Sequence, residues 1–311
     1  MSSVDNIVAE ARKMCCASCG IAEVDDVKLK ECDGCDLVNY CSDACKEDHR
    51  SEHEAECKER AAELRDVLLF KQPEGTHDGD CPICCLPLPL GDWKSVVSVC
   101  CSKTICDGCA HADNVHRNIR DRKCPFCRHP LSETEEETNK KRMKRVAAND
   151  PIALRRMGVR HFHREDYDGA FKYWTKAAEL GDAEAHFNLS VLYSEGKGVE
   201  KDEQKDIYHT EEAAIAGHPY ARFHLGAYEA RNGRVNRAVK HFIIAANLGH
   251  DQSITALKDC YRDGDVSKED FASALRAHHA AVKAMKSPHR DEAARADTAG
   301  RIEWASCSTL L

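Results

Sequence analysis

The sequence contains no long apolar run. No stretch of about 18 apolar residues, the length that marks a membrane-spanning helix, occurs among its 311 residues. We therefore expect no transmembrane helix and no membrane partner. The opening segment MSSVDNIVAEARKM carries charges and lacks the apolar core of a signal peptide, so a secretory leader is not expected either.

Excess positive charge and aromatic residues are also lacking. The chain has 45 Lys and Arg against 53 Asp and Glu, a net charge of −8, so no global basic field would attract nucleic acid. Aromatic residues make up 6% of the chain and charged residues 32%, which favours small domains and helical arrays over one large core. A glycine-rich phosphate loop is missing too, and no Ser/His/Asp arrangement calls for a catalytic explanation.

Cysteine, by contrast, is abundant and unevenly distributed. Of 19 cysteines, 17 lie between Cys15 and Cys127, and only Cys260 and Cys307 lie beyond. In a reducing compartment, dense cysteine pairs bind metal more often than they form disulfides. We therefore expect a cytoplasmic or nuclear protein whose first 130 residues bind zinc, with disulfides as the alternative.

The first cysteine-rich block contains four ligand pairs, enough for two tetrahedral zinc sites. The pairs are Cys16-x2-Cys19, Cys32-x2-Cys35, Cys41-x3-Cys45 and His53-x3-Cys57. The last two have the i, i+4 spacing that places both ligands on one face of a helical turn. Cys15 is the fallback for Cys16, and His49, one turn before His53, is expected to be a solvated helix residue.

This block resembles a MYND finger, on the run YCSDAC at residues 40–45 and the seven-residue gap from Cys45 to His53. The resemblance implies two interleaved zinc sites, one from Cys16, Cys19, Cys41 and Cys45 and the other from Cys32, Cys35, His53 and Cys57. The tryptophan that the family often has three residues before the ligand histidine is replaced by Arg50. A peptide-binding groove is therefore less expected here than zinc binding.

The second cysteine-rich block contains three CxxC pairs in series, which argue for zinc rather than for a lone thioredoxin-like redox pair. The pairs are Cys81/Cys84, Cys106/Cys109 and Cys124/Cys127, and Cys100 and Cys101 lie between the first two. The block resembles a RING finger, which implies one zinc site from Cys81, Cys84, Cys106 and Cys109, and a second from Cys101, Cys124, Cys127 and one more ligand.

That last ligand departs from the family pattern. Lys103 stands where a histidine is usual, and a lysine would have to lose its proton to bind zinc. We favour Cys100 as the ligand, with His111 second and His116 a further candidate.

The resemblance also implies a contact surface for a ubiquitin-conjugating enzyme at Ile83 and Pro125. Arg128 matches the "linchpin" position, a cation that bridges ubiquitin and that enzyme. A RING finger forms no covalent intermediate and gains rate by positioning, and its closed zinc sites are structural. The alternative is that Arg128 is an ordinary surface residue and that Ile83 covers the zinc.

From Asp150 onwards the chain is alanine-rich and repetitive. Its repeating features are the pairs Ala177-Ala178, Ala213-Ala214 and Ala245-Ala246, and the glycines Gly181, Gly217 and Gly249. The pattern resembles Sel-one-like repeats, best in residues 183–218, with the family's Gly-x-Gly-Val loop at Gly196, Gly198 and Val199. Ser190 replaces the usual glycine of that unit. Three units and a weaker fourth are predicted, and because one unit cannot bury its apolar face alone, they must stack.

The sequence thus predicts small zinc-stabilised α+β fingers followed by an all-α helical-repeat solenoid. The predicted divisions are an N-terminal tail (1–15), a MYND-type finger (16–57), a helix and linker (58–80), a RING-type finger (81–130), a charged helical linker (131–149), the repeats (150–290) and a C-terminal tail (291–311). The basic run KKRMKR at residues 140–145 would suit a nuclear signal, but its acidic neighbours favour an exposed helix.

We expect four structural zinc ions and one of two functions. The first is a RING-type ubiquitin ligase whose RING recruits a conjugating enzyme while the MYND finger and the repeats bind an unknown substrate protein. The second is a non-enzymatic scaffold. A MYND-containing lysine methyltransferase is disfavoured, because a repeat array follows where the catalytic domain would be. The whole arrangement, including the segments CPICCLPLP, CCSKTIC, CPFCR and NDPIALRRMG, resembles a group of zinc-finger and Sel-one-like proteins of diatoms and related algae over residues 16–57 and 81 to about 290.

Overall fold

The computed structural model describes residues 15–23, 28–91, 94–116, 123–132 and 134–298. The chain divides into two compact units, residues 1–71 and residues 72–311. Among the described residues, no helix is both long and apolar enough to cross a membrane.

The first unit is built from a two-stranded sheet and two helices. Strand β1 (Lys30–Glu31) pairs antiparallel with β2 (Asn39–Tyr40), and helices α1 (Asp43–Asp48) and α2 (Arg50–Leu69) follow. The Ser42 hydroxyl accepts a hydrogen bond from the Cys45 amide and caps α1, since the first amides of a helix have no partner within it. Helix α2 runs without a break through position 57, so the helix predicted after the finger is the second half of a finger helix.

A second small sheet begins the second unit. Strand β3 (Ser95–Val97) pairs antiparallel with β4 (Thr104–Cys106), with Val96 opposite Ile105, and helix α3 (Asp107–His116) follows directly. Leu88 and Ile105 are buried among the cysteines between these elements. The charged segment then forms α4 (Glu135–Ala147), with acidic residues in its first turn and basic residues in its last, as the helix dipole favours.

The rest of the second unit is helical. Helices pair in sequence order as α5 (Pro151–Phe162) with α6 (Tyr167–Glu179), α7 (Ala183–Glu195) with α8 (Glu203–Ile215), α9 (Pro219–Arg231) with α10 (Val235–Asn247), and α11 (Asp251–Asp263) with α12 (Lys268–Ala284). Ala177, Ala213 and Ala245 are fully buried, which lets the helices approach closely. Helix α13 (Pro288–Thr298) ends the described chain and packs on α3. The predicted fold class is confirmed.

A size match between facing residues explains why Ser190 departs from the repeat pattern. In the first repeat Gly158 of α5 lies against the indole of Trp174, and in the third Gly226 lies against the ring of Phe242. The second repeat has Thr210 at the position of these aromatic residues. A small residue on α8 leaves room for a side chain on α7, so a serine can replace the glycine.

Candidate metal centres

The structure brings the sixteen predicted zinc ligands together in four groups of four. Within each group the candidate ligand atoms all lie within 4.8 Å of one another. The groups are Cys16/Cys19/Cys41/Cys45, Cys32/Cys35/His53/Cys57, Cys81/Cys84/Cys106/Cys109 and Cys100/Cys101/Cys124/Cys127. None of the cysteines that the structure describes is in a disulfide.

Distances between ligand atoms fit tetrahedral zinc. Zn–S bonds of about 2.3 Å at tetrahedral angles place two sulfurs about 3.8 Å apart. The sulfur of Cys19 is 3.6 Å from that of Cys41, and the sulfurs of Cys84 and Cys106 are 3.8 Å apart. In the second group the sulfur of Cys35 lies 3.2 Å from Nε2 of His53, so this nitrogen is placed to be the ligand.

Cys100, and not His111, completes the fourth group. Its sulfur is 3.3 Å from that of Cys127, and the sulfurs of Cys101 and Cys124 are 3.7 Å apart. Adjacent cysteines therefore face one centre in this structure. His111 and His116, both on α3, are outside every ligand group found among the described residues.

Each group also needs a cation for electrostatic reasons. Burial raises the pKa of Cys81, but backbone hydrogen bonds from Cys106 and Cys84 outweigh this effect and bring the pKa down to about 7. In the same group, burial and the neighbouring Cys106 raise the pKa of Cys109. The other three groups show the same contrast between one thiol and its neighbour: Cys16 against Cys41, Cys32 against Cys57, and Cys124 against Cys100. Ionising one thiol opposes ionisation of the next, so the four thiolates of three groups, and the three thiolates of the group that contains His53, are stabilised together by a bound dication.

One prediction in the first finger is wrong. His49 is not a solvated helix residue: its Nδ1 lies 3.1 Å from the hydroxyl of Tyr40, and its ring stacks on His53 at 5.7 Å between centroids. The Tyr40 side chain is buried, and this burial together with the nearby thiols raises its pKa to about 12. His49 therefore packs between Tyr40 and the ligand His53 instead of facing solvent.

Three CxxC pairs share one backbone geometry that their spacing in the sequence does not reveal. The residue after each pair, namely Gly20, Cys85 and Arg128, has a positive φ, of 74°, 54° and 60°. Its amide donates to the carbonyl of the first cysteine, over 2.9, 2.8 and 3.1 Å respectively. The position after the second cysteine is thus a left-handed corner, which glycine adopts at no cost and other residues adopt under strain.

A fifth cluster, of His77, Glu184 and His218, was not predicted. Nε2 of His218 lies 3.0 Å from Oε2 of Glu184, and Nε2 of His77 lies 3.3 Å from the same oxygen. Burial would raise the pKa of Glu184, but the hydrogen bonds from the two histidines lower it well below its usual value. Burial alone would lower the pKa of His77, yet Glu184 and Asp78 raise it.

The geometry of this cluster favours a hydrogen-bonded clamp over a metal site. Nδ1 of His218 accepts the Ala221 amide at 3.2 Å, so the proton of the neutral ring is on Nε2, facing Glu184. The rings of His77 and His218 are stacked at 4.3 Å with 19° between their planes. Both Nε2 atoms already lie within hydrogen-bond distance of one Glu184 oxygen, so the carboxylate serves as their shared acceptor. The cluster joins the segment before the second finger to helices α7 and α9.

Comparisons with known proteins fit the first finger and the repeats. Residues 16–57 match the MYND finger model, and residues 151–182, 183–218 and 219–250 match the Sel1 repeat model. The chain carries a MYND finger and three Sel1 repeats. Helices α11 and α12, where a weaker fourth unit is predicted, follow the last matched segment. The RING resemblance and the algal group stay predictions.

Curated relatives match parts of the chain. "Putative beta-lactamase HcpC" of Helicobacter pylori is 40% identical over 60 residues, which are 19% of this chain and 21% of that protein. "DAP3-binding cell death enhancer 1" of Mus musculus is 24% identical over 199 residues, covering 51% of this chain and 38% of that protein. The matched segments thus span about a fifth to two fifths of these curated relatives. A solved Sel1 repeat protein from Oxalobacter formigenes is 27% identical, with 55% of this chain and 80% of that chain covered and a TM-score of 0.43.

A MYND finger joined to Sel1 repeats is a protein-interaction architecture. Its zinc is structural, because each group offers four protein ligands and leaves no open coordination position for catalysis.

Proposed function

We propose that this protein is an adaptor-type ubiquitin ligase. Its second cysteine-rich finger would recruit a ubiquitin-conjugating enzyme, and its MYND finger and Sel1 repeats would bind the substrate protein. The part of the proposal that concerns ubiquitin depends on two exposed residues of the second finger. Ile83 lies between the cysteines of the first CxxC pair, with 45% of its surface exposed, and Arg128 directly follows the last pair.

An exposed arginine, Arg128, at the corner after the last CxxC pair is the observation that carries this proposal. Its φ of 60° is one that an L-residue adopts at a cost of roughly 1–2 kcal/mol. The equivalent corner of the first finger is occupied by Gly20, which avoids that cost. Strain alone does not assign the role, because Cys85 adopts the same corner with a φ of 54°; what sets Arg128 apart is an exposed cation at that corner. This favours the linchpin role over an ordinary surface residue.

Such a finger would act by positioning. Ile83 and Pro125 would contact the conjugating enzyme, while the Arg128 cation would hold its thioester-linked ubiquitin in a reactive geometry. Ubiquitin would pass from that enzyme to a lysine of the substrate without becoming bonded to this chain, so the gain in rate would come from orientation alone.

The experiment is ubiquitin discharge from a panel of loaded conjugating enzymes, with zinc content measured for every variant. Arg128→Gly removes the side chain and also relieves the backbone strain, so a loss of activity cannot be attributed to unfolding. We expect it to lose at least about 10-fold in rate, a loss of about 1.4 kcal/mol in transition-state stabilisation. Ile83→Ala should lose a comparable factor. Cys85→Gly is the matched control, because Cys85 occupies the equivalent corner, and it should keep full activity.

The second candidate function is a scaffold without enzymatic activity. It is favoured by the two matched families, which bring partner-binding surfaces and no catalytic domain. Wild-type protein that contains its full zinc and accelerates discharge from no conjugating enzyme would exclude the ligase and leave the scaffold.

A further inference from the structure

The last described helix is attached to a zinc centre by one buried arginine. Arg290 of α13 is 6% exposed. One terminal nitrogen of its guanidinium donates to the carbonyls of Met285 and Pro87, at 2.6 and 2.7 Å. The other donates to the Leu86 carbonyl at 3.4 Å and to the sulfur of Cys84 at 3.5 Å. A residue that follows all the repeats thus contacts a predicted zinc ligand.

Close backbone packing holds the arginine in this position. Gly108 is in the first turn of α3, between the ligands Cys106 and Cys109. A Cβ at Gly108 would lie 2.6 Å from the backbone nitrogen of Arg290 and 2.8 Å from the carbonyl carbon of His289. Only glycine permits this approach without a shift of one helix. The contact between α3 and α13 is therefore specific and fixes where the guanidinium lies.

The positive charge of Arg290 compensates part of the negative charge of the zinc–thiolate centre. A zinc ion with four thiolate ligands carries a net charge of −2, and here Cys81 and Cys106 are almost completely buried. Backbone amides supply part of the compensation, since the Cys106 amide donates to the sulfur of Cys81 and the Cys109 amide to that of Cys106, both at 3.4 Å. A guanidinium at Cys84 adds a full positive charge beside the ligands, and its hydrogen bond to a thiolate is charge-assisted and therefore stronger than a neutral one.

We propose that Arg290 is a positioning residue for the zinc centre of Cys81, Cys84, Cys106 and Cys109, and that zinc retention at this centre depends on the docking of α13. Ligands are held by their hydrogen-bond partners as well as by the metal, and loss of such a partner typically lowers metal affinity about 10–100-fold. The coupling is reciprocal: zinc at this centre stabilises the docked helix, and the docked helix stabilises the zinc.

The test is zinc release from the full-length protein to a chromogenic chelator, with the emptied centre identified by thiol alkylation and peptide mass spectrometry. In Arg290→Gln, zinc should leave this one centre at least about 10-fold faster than in wild type, with the alkylated thiols at Cys81, Cys84, Cys106 and Cys109. Arg290→Lys keeps the charge but cannot contact the same acceptors together, so its release rate should lie between those of wild type and Arg290→Gln.

Two glycine variants separate the docking of α13 from the arginine side chain itself. Gly108→Ala leaves Arg290 intact but pushes α13 away, so it should also accelerate release from this centre. Gly75→Ala is the matched control, because a Cβ at Gly75 meets nothing within 4 Å, and its release rate should equal that of wild type.

A spectroscopic readout distinguishes positioning from mere structural support. In cobalt-substituted protein the sulfur-to-metal charge-transfer bands report on the thiolates, and they should shift in Arg290→Gln because a donor to Cys84 has been lost. Either of two results would overturn the proposal: unchanged release from this centre in Arg290→Gln, or equal acceleration at all four centres.

Discussion

The contact between Gly158 and Trp174 offers a direct test of the size match between paired helices. In Gly158→Ala the new methyl group would overlap the indole, including a contact of 2.9 Å with Cε2 of Trp174. Trp174 cannot yield easily. It is 3% exposed, and its Nε1 donates to the Arg155 carbonyl at 3.1 Å.

The expected cost follows from three contributions. Overpacking of a filled core costs about 1–3 kcal/mol, and displacement of the indole loses a hydrogen bond worth about 1 kcal/mol. Replacement of glycine by alanine within a helix stabilises the helix by about 1 kcal/mol, which offsets part of this cost. Gly158→Ala should therefore lower the free energy of unfolding of the repeat region by about 1–3 kcal/mol, although alanine is the better helix former.

The assay is urea unfolding followed by far-UV circular dichroism, with zinc present throughout. Gly226→Ala, whose methyl group would lie 2.5 Å from the Phe242 ring, should be destabilised in the same way. Ser190→Ala is the control at the equivalent position of the second repeat, where Thr210 replaces the aromatic ring, and it should change stability by less than about 1 kcal/mol. Equal effects at all three positions would refute the size match.

Two further predictions concern zinc and pH. Mass spectrometry under native conditions should find four zinc ions per chain, and a count of two would mean that one finger is not metallated. A chelator should unfold both fingers while the helices of the repeats keep their circular dichroism, because structural zinc contributes on the order of 10 kcal/mol to the folding of such fingers. Glu184→Gln should lower the free energy of unfolding by about 1–3 kcal/mol, with the largest effect between pH 4.5 and pH 6.5. The lowered pKa of Glu184 stabilises the fold above its usual value of 4.5. The raised pKa of His77 stabilises the fold below its usual value of 6.5, and this contribution is lost as the pH rises through the raised value. Urea unfolding across this range measures the difference between wild type and variant, and a difference independent of pH would contradict this charge assignment.

Local spacing explains how much of the site the sequence could predict. Ligand pairs such as Cys81/Cys84 are close in sequence, so their residue types and intervals identify each half of a zinc site. Family resemblance then implied which halves combine, and the structure brings the same halves together. The alanine pairs and the glycines of the repeats were just as readable, because each repeat reproduces the same contact.

Features that depend on distant parts of the chain were not predictable in this way. Arg290 and Cys84 meet only because the repeats bring α13 back to the finger, and no interval in the sequence marks such a pair. His77, Glu184 and His218 come from three separate segments for the same reason. His49 was misjudged because its partner, Tyr40, belongs to a strand and not to the helix on which the expectation rested.

The second finger contacts the repeats through the segments at both of its ends, so it belongs to the same compact unit as the repeats and is not a domain on a flexible linker. On one side, His77 is held by Glu184, and the Asn247 side chain donates to that of Gln72 at 2.9 Å. On the other, residues 288–298, most of them predicted as tail, form the helix that carries Arg290. A substrate bound to the Sel1 repeats would therefore lie at a fixed distance and orientation from any conjugating enzyme on the finger. For the proposed ligase this rigidity has a chemical consequence: the modified lysines would be selected by where they lie on the bound substrate, because positioning is the only means of catalysis available to such a finger.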